Sequence, residues 1–316
     1  MNTLAYYRAQ KTPLTLVQLG RYLVADQDES FQLSEIETAI NELIEKKIVA
    51  EQKGLFWLNL KKESSPKTWL KFVHSEKISQ RKINKALKAI NLFAFVPNLR
   101  ALFICGSVAR KVSRADSDID FLILTKPDHI WTVRFLLTLF AFLLGKKTND
   151  AKLLGITDSQ NTDYSRRNKF CLNHYRSSAN LKLEEPLRDL YSAQEYACML
   201  NIYSENRTDR KFFKKNKLWM RKIIPNFNFS KLPFKENGDN FPNSARRFLE
   251  KMLGGKIGHI IERLLYQLQL KKINLSNRGL LDNQRIIAEK EVIMFHLNPR
   301  SPLVLRRHQQ VINNYE

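Results

Sequence analysis

Between Leu33 and Ile44 the apolar residues Ile36, Ile40, Leu43 and Ile44 recur at the spacing of one buried helix face. Ser34, with Glu37 three positions on, has the form of a capping box that starts such a helix. A shorter helix is expected before it, around Leu14–Val24. Behind it the apolar runs Ile48–Glu51 and Leu55–Leu60 flank Lys53-Gly54, a pair suited to a tight turn, so a two-stranded hairpin is predicted. Helices followed by a hairpin give residues 1–62 the form of a winged-helix-like domain.

Residues 61–68 read as a linker by composition. From Trp69 to Phe95 a helix is predicted in which Lys77, Arg81, Lys82, Lys85 and Lys88 alternate with Ile78, Ile83, Leu87, Ile90, Leu92 and Phe93. Strands and helices then mix. The pattern predicts a strand Leu102–Cys105, a helix Val108–Val112, a strand Asp118–Leu124, an apolar helix Trp131–Leu144, a strand Phe170–Tyr175 and a helix from Pro186 to about Tyr203. This alternation marks residues 69–204 as a second domain of α/β (α+β) type, with the basic helix leading it. Residues 205–316 read as a basic, mostly helical C-terminal region. It holds a cationic run from Arg207 to Lys222, an aperiodic stretch from Pro225 to Asn243, an amphipathic helix Ser244 to Leu270, a hairpin from Arg285–Ala288 and Glu291–His296, and a final helix. Phe212, Phe213 and Trp219 fall at core spacing within the cationic run.

Composition places this pattern in a globular chain. In 316 residues, 43% are hydrophobic and 27% charged, with ten glycines and ten prolines, which excludes collagen-like, low-complexity and wholly disordered classes. The apolar stretch Phe135 to Leu144 falls well short of the about 20 residues a membrane span needs, so it reads as a buried helix and no span is expected. Cys105, Cys171 and Cys198 are widely spaced without a CxxC pair; they read as reduced thiols of a cytoplasmic protein, and no structural zinc is expected.

Fifty-three Lys/Arg against thirty-one Asp/Glu give a net charge of +22, a field that attracts polyanions. The charge is unevenly placed. Residues 1–60 hold six basic and eight acidic side chains, so the excess lies entirely beyond them. Glu35, Glu37, Glu42 and Glu45 on the expected groove-facing helix would repel phosphates, which favours a protein-contact or packing role for residues 1–62 over duplex binding. Nucleic acid is an expected partner of the basic region after residue 60, and a protein an expected partner of residues 1–62.

The segment that carries chemistry runs from Leu102 to Leu124. A buried strand ends in Gly106-Ser107, where a tight turn lets backbone N–H groups and a hydroxyl meet a phosphate. On the expected helix, Val108 and Val112 point back at the sheet, while Arg110, Lys111 and Arg114 fall on the side of the Ser107 hydroxyl, as a polyphosphate site requires. Asp118 and Asp120 alternate with Ile119 and Phe121, so both carboxylates project from one face, roughly 7 Å apart. They repel by about 0.6 kcal/mol in water and by more where water is scarce, a cost that a divalent cation reverses. The arrangement points to Mg²⁺, or Mn²⁺ in its place.

Gly106-Ser107, ten residues, then Asp118-Ile119-Asp120 resembles the signature of the DNA polymerase beta-like nucleotidyltransferase superfamily. Gly106-Ser107-Val108-Ala109-Arg110 with Ser117-Asp118-Ile119-Asp120 is closest to its minimal and kanamycin-nucleotidyltransferase-like members. The signature covers about twenty residues, and the implied domain about a hundred. The resemblance implies a nucleotidyltransferase fold with a mixed sheet, metal and catalytic roles for Asp118 and Asp120, and nucleoside triphosphate binding at Gly106, Ser107, Arg110 and Lys111. Two positions depart from the pattern. The family has glycine where Lys111 stands, a change expected to let the helix continue. It also has a third carboxylate on a later strand, where this chain offers Asn173, which has no proton-accepting carboxylate. Asp150, Asp158 or Asp163 reaching in from a loop, His174 as base, or a site that binds nucleotide with little turnover are the alternatives. The implied activity is transfer of a nucleoside monophosphate to an acceptor hydroxyl. The competing reading is a nucleotide-sensing or nucleic-acid-binding regulator built on a degenerate transferase site.

Overall fold

The computed structural model describes residues 1–25, 30–59, 67–144, 169–228, 243–276, 285–296 and 300–315. At the N-terminus stand α1 (Asn2–Ala9), α2 (Leu16–Arg21) and α3 (Leu33–Glu45), then the antiparallel pair β1 (Val49–Gln52) and β2 (Leu55–Leu58). The pair turns through Lys53 (φ 53°) and Gly54 (φ 74°), and Leu14 bridges to Phe56 on its outer edge. α1 has no counterpart among the elements expected from periodicity, because in Asn2–Ala9 the buried residues Thr3 to Tyr7 are consecutive rather than spaced. α3 starts earlier than Ser34 would place it: the Gln32 N–H donates to the Glu35 carboxylate at 2.6 Å, so the reciprocal cap is built two residues upstream of Ser34 and Glu37.

A mixed sheet of six strands forms the centre, in the order β6 (Leu200–Ser204), β3 (Leu99–Cys105), β4 (Ile119–Thr125), β5 (Phe170–Ser177), β8 (Val292–His296), β7 (Arg285–Ala288). Only β4 and β5 run parallel. β6 corrects the expectation of a helix to Tyr203. α7 (Leu190–Cys198) ends at Cys198, Met199 turns to extended backbone (φ −56°, ψ 141°), and Leu200–Ser204 pairs with β3. Pairing with a buried strand satisfies the backbone of Ile202-Tyr203 and buries both side chains, which outweighs a local helical pattern. The C-terminal hairpin forms as expected, and β8 joins it to β5 of the central sheet. The expected helix Ser244 to Leu270 is two, α9 (Asn243–Leu253) and α10 (Lys256–Ser276), divided at Gly254-Gly255.

Each face of the sheet is covered. Leu102, Ile104, Ile119, Phe121 and Ile123 point to a core shared with α4 (Lys67–Phe93), α6 (Ile130–Leu143) and Ile273 of α10. Ala101, Phe103, Leu122 and Leu124 point to the other, shared with α7, α8 (Thr208–Ile223), the N-terminal elements and Val304 of α11 (Arg300–Asn313). Residues 1–25 are therefore fastened to the sheet rather than hung on it. Tyr7 Oη donates to Gln194 at 2.7 Å, Gln194 donates to the Tyr22 carbonyl at 2.9 Å, and α1 packs on α11. Phe212, Phe213 and Trp219 lie in this core, as their spacing predicts. No helix among the described residues is long and apolar enough to cross a membrane.

Candidate functional site

β3 and β4 are joined by the turn that carries the sequence signature. Gly106 leaves β3 at φ 66° and begins α5 (Gly106–Ala109), which packs between α4 and α7. Val108 is fully buried against the sheet. The helix does not continue through Lys111, contrary to the expectation of a helix Val108–Val112. Lys111 adopts φ 63°; its N–H reaches the Val108 carbonyl at 3.1 Å, and the Val112 N–H reaches the Ser107 carbonyl at 2.9 Å. That pair of bonds is a Schellman motif, whose left-handed residue is glycine in most helices. The backbone at Lys111 thus has the conformation that glycine adopts without strain, and Arg114 lies beyond the helix.

The carboxylates stand on the other side of the turn. Asp120 pairs in register with Cys105 on β3 and Cys171 on β5. A Cβ placed on Gly106 would come within 2.8 Å of Asp120 Oδ2, so the missing side chain of Gly106 is the space the carboxylate occupies. Asp118 and Asp120 are both half-buried and flank Ile119, which is fully buried in the opposite core. Burial, reinforced by the Asp120 charge, raises the Cys105 thiol well above its usual range, so it stays protonated.

β5 carries an extra residue beside this pair. One residue separates Asp120 from Leu122, but two separate their partners Cys171 and His174. Asn173 falls in that irregularity; Cys171 stands directly opposite Asp120, and His174 next on the same face, opposite Leu122. Asp150, Asp158 and Asp163 lie outside the described residues. Among the described residues no three His, Cys, Asp or Glu side chains are grouped to hold a metal ion. Asp118 and Asp120 remain a fitting donor pair for Mg²⁺, which takes one or two carboxylates and completes its shell with water and substrate phosphates. Gly106 presents no side chain to Asp120 Oδ2, where a Cβ would stand 2.8 Å away.

The cations of the signature are engaged with protein carboxylates. Arg110, its side chain only 5% exposed, forms an ion pair with Glu195 on α7. Lys111 Nζ meets Glu76 of α4 at 2.8 Å, and Arg114 meets Asp116 at 2.9 Å, both at the surface. Arg110 and Lys111 also line a cavity of about 180 Å³ with Tyr7, Gln18, Arg21 and Tyr22 of the N-terminal elements.

Lys82 stands beside the site, although the alternation of cations and apolar residues along its helix does not single it out. It is 1% exposed, and its ammonium donates to Ser113 Oγ (2.9 Å), the Arg114 carbonyl (2.5 Å), the Ser117 carbonyl (2.5 Å) and Ser117 Oγ (2.8 Å). Burial lowers its pKa, and the charges of Asp118, Asp116 and Asp120 pull it back up. One buried cation thus holds the loop between α5 and β4 and offsets carboxylate repulsion. The signal was present: Lys82 stands in step with Ser79, Ala86, Ile90 and Phe93, all buried on one side of α4.

No protein-family model, no curated protein and no solved structure matches this chain.

Proposed function

We propose that the chain is a nucleotidyltransferase that moves a nucleoside monophosphate from a nucleoside triphosphate to an acceptor hydroxyl. The observation that carries the reading is the left-handed Gly106 set directly against the Asp120 carboxylate, at the end of a buried strand and immediately before Ser107. Asp118 and Asp120 hold the cation, and Gly106 and Ser107 receive the phosphates. Bound there, Mg²⁺ supplies charge neutralisation for the triphosphate and its leaving pyrophosphate. The acceptor oxygen forms a bond to the α-phosphorus, the bond to pyrophosphate breaks, and the hydroxyl proton passes to a base. Among the described residues His174 shares the face of Asp120 and takes that role in this reading. Residues 1–62 act as a winged-helix-like packing unit, supported by the core they share with the sheet. A cytoplasmic setting belongs to this reading, with Cys105, Cys171 and Cys198 outside disulfides as its support.

A second reading, a nucleotide-binding regulator with little turnover, is favoured by the burial of Arg110 against Glu195, which removes a cation the signature would offer to phosphate. Two measurements separate them. Calorimetry with a nucleoside triphosphate and Mg²⁺ is expected to lose its binding heat in Asp118→Asn/Asp120→Asn; equal affinity in both proteins means the acidic strand is not the site. Labelled nucleoside triphosphates with cell extract are expected to mark a protein, RNA or small molecule, and Asp120→Ala to erase the mark. Binding without any label would replace the transferase by the regulator.

A further inference from the structure

α8 buries one side and charges the other. Phe212, Phe213, Asn216, Trp219 and Met220 enter the core, with Phe212 and Phe213 packed on Phe103. Arg210, Lys211, Lys214, Lys215, Lys217, Arg221 and Lys222 occupy the opposite side over the whole length of the helix, with Arg207 just before it. The acid in its first turn, Asp209, is buried and held by Ser204 at 2.5 Å and Asn201 at 3.0 Å, so it does not soften that field. Lys214 lies four residues from Arg210, Lys215 from Lys211, and Arg221 from Lys217. Like charges at that spacing repel across a helix turn, a repulsion that a bound polyanion relieves.

From this we infer that α8 is a docking face for the phosphodiester backbone of a polynucleotide, bound without regard to sequence. At 1.5 Å per residue the 16-residue helix is about 24 Å long, the span of about seven phosphates along one strand. Base reading is absent by construction. The three aromatic residues of the helix face inward, and the Trp219 indole donates to Asn216 at 2.9 Å, so no ring on the cationic side is left for bases to stack on. An anionic bilayer fits less well, because Leu218 is the lone apolar side chain among the cations and a surface-bound helix needs an apolar stripe to insert. α8 covers the face of the sheet on which Asp120 stands, so a strand docked there lies on the same side as the candidate site. The inference rests on α8 itself and holds whether or not the chain transfers nucleotides.

The test is the salt dependence of binding to a fluorescent 25-mer, duplex and single-stranded, without nucleotide or Mg²⁺. Lys211→Gln/Lys214→Gln/Lys215→Gln is expected to lower the slope of log affinity against log salt by about three, and Lys211→Arg/Lys214→Arg/Lys215→Arg to keep it. Two unrelated 25-mers are expected to bind alike. Lys251→Gln/Lys256→Gln/Lys271→Gln, which removes the same charge from α9 and α10, is expected to change the slope by less than one. Equal losses in the two glutamine triples would assign binding to net charge and overturn the inference, as would an unchanged slope in the α8 triple with native circular dichroism. A tenfold preference between the two sequences overturns it too, and so does loss confined to vesicles of anionic lipid.

Discussion

Asp120 and Arg110 leave the same connection between β3 and β4, and the fold treats them in opposite ways. Asp120 is fixed by strand register between Cys105 and Cys171, and its carboxylate faces a glycine that leaves room beside it. Arg110 is fixed by a carboxylate of its own, Glu195, brought from α7. On the acidic limb of the turn the Asp120 carboxylate stands against a glycine, whereas on the cationic limb the Arg110 guanidinium is paired within the protein. A sequence motif shows which charges are present; only the fold shows which of them are still available.

Breaking the internal pair has the largest expected effect. Glu195→Gln leaves the Arg110 guanidinium buried without a counter-charge, a loss of about 3–5 kcal/mol in urea denaturation. Arg110→Met in the same chain is expected to recover part of it, since a neutral side chain carries no such penalty. A loss below about 1 kcal/mol for Glu195→Gln would mean that Arg110 finds other anions, and the contrast between the limbs would fail.

Next is the glycine. Gly106→Ala puts a Cβ at 2.8 Å from Asp120 Oδ2 and a side chain on left-handed backbone, which together cost about 1–3 kcal/mol and displace the carboxylate. Both thermal stability and metal-dependent nucleotide binding are expected to fall. If stability falls while binding stays, Asp120 is not the ligand. Lys82→Met follows, at about 1–3 kcal/mol, because Ser113, Ser117 and the Arg114 carbonyl lose a buried donor. Lys82→Arg is not expected to rescue it, since a planar fork does not fit a pocket shaped for one ammonium.

What could be read beforehand divides along the same line. β3, β4 and the two aspartates were legible because a buried strand beside a glycine turn leaves a dense local pattern, and the C-terminal hairpin was legible for the same reason. Lys82 and Arg110 have partners that no local pattern shows: Ser113 and Ser117 come from another element, and Glu195 from a helix across the core. Leu200–Ser204 follows a true helix with no glycine or proline between, so its local pattern reads as helix, and only pairing with β3 decides for the strand. Asn173 falls in a one-residue irregularity of β5 that counting along the strand does not reveal.

The smallest expected effect carries the opposite sign. Lys111 sits at φ 63° in the left-handed position of a Schellman cap, where a side chain costs about 1–2 kcal/mol relative to glycine. Against this stands its ion pair with Glu76, whose side chains are 45% and 41% exposed, and such pairs contribute about 0–1 kcal/mol. Strain exceeds the pair, so Lys111→Gly is expected to raise the melting temperature, with a gain near 1 kcal/mol that persists at high salt, where the Glu76 pair is screened anyway. Nucleotide affinity is expected to stay within about twofold, because the ammonium already belongs to Glu76. A destabilised Lys111→Gly, or one that loses nucleotide binding, would show that the lysine leaves Glu76 for the ligand and that the cationic limb serves the site after all.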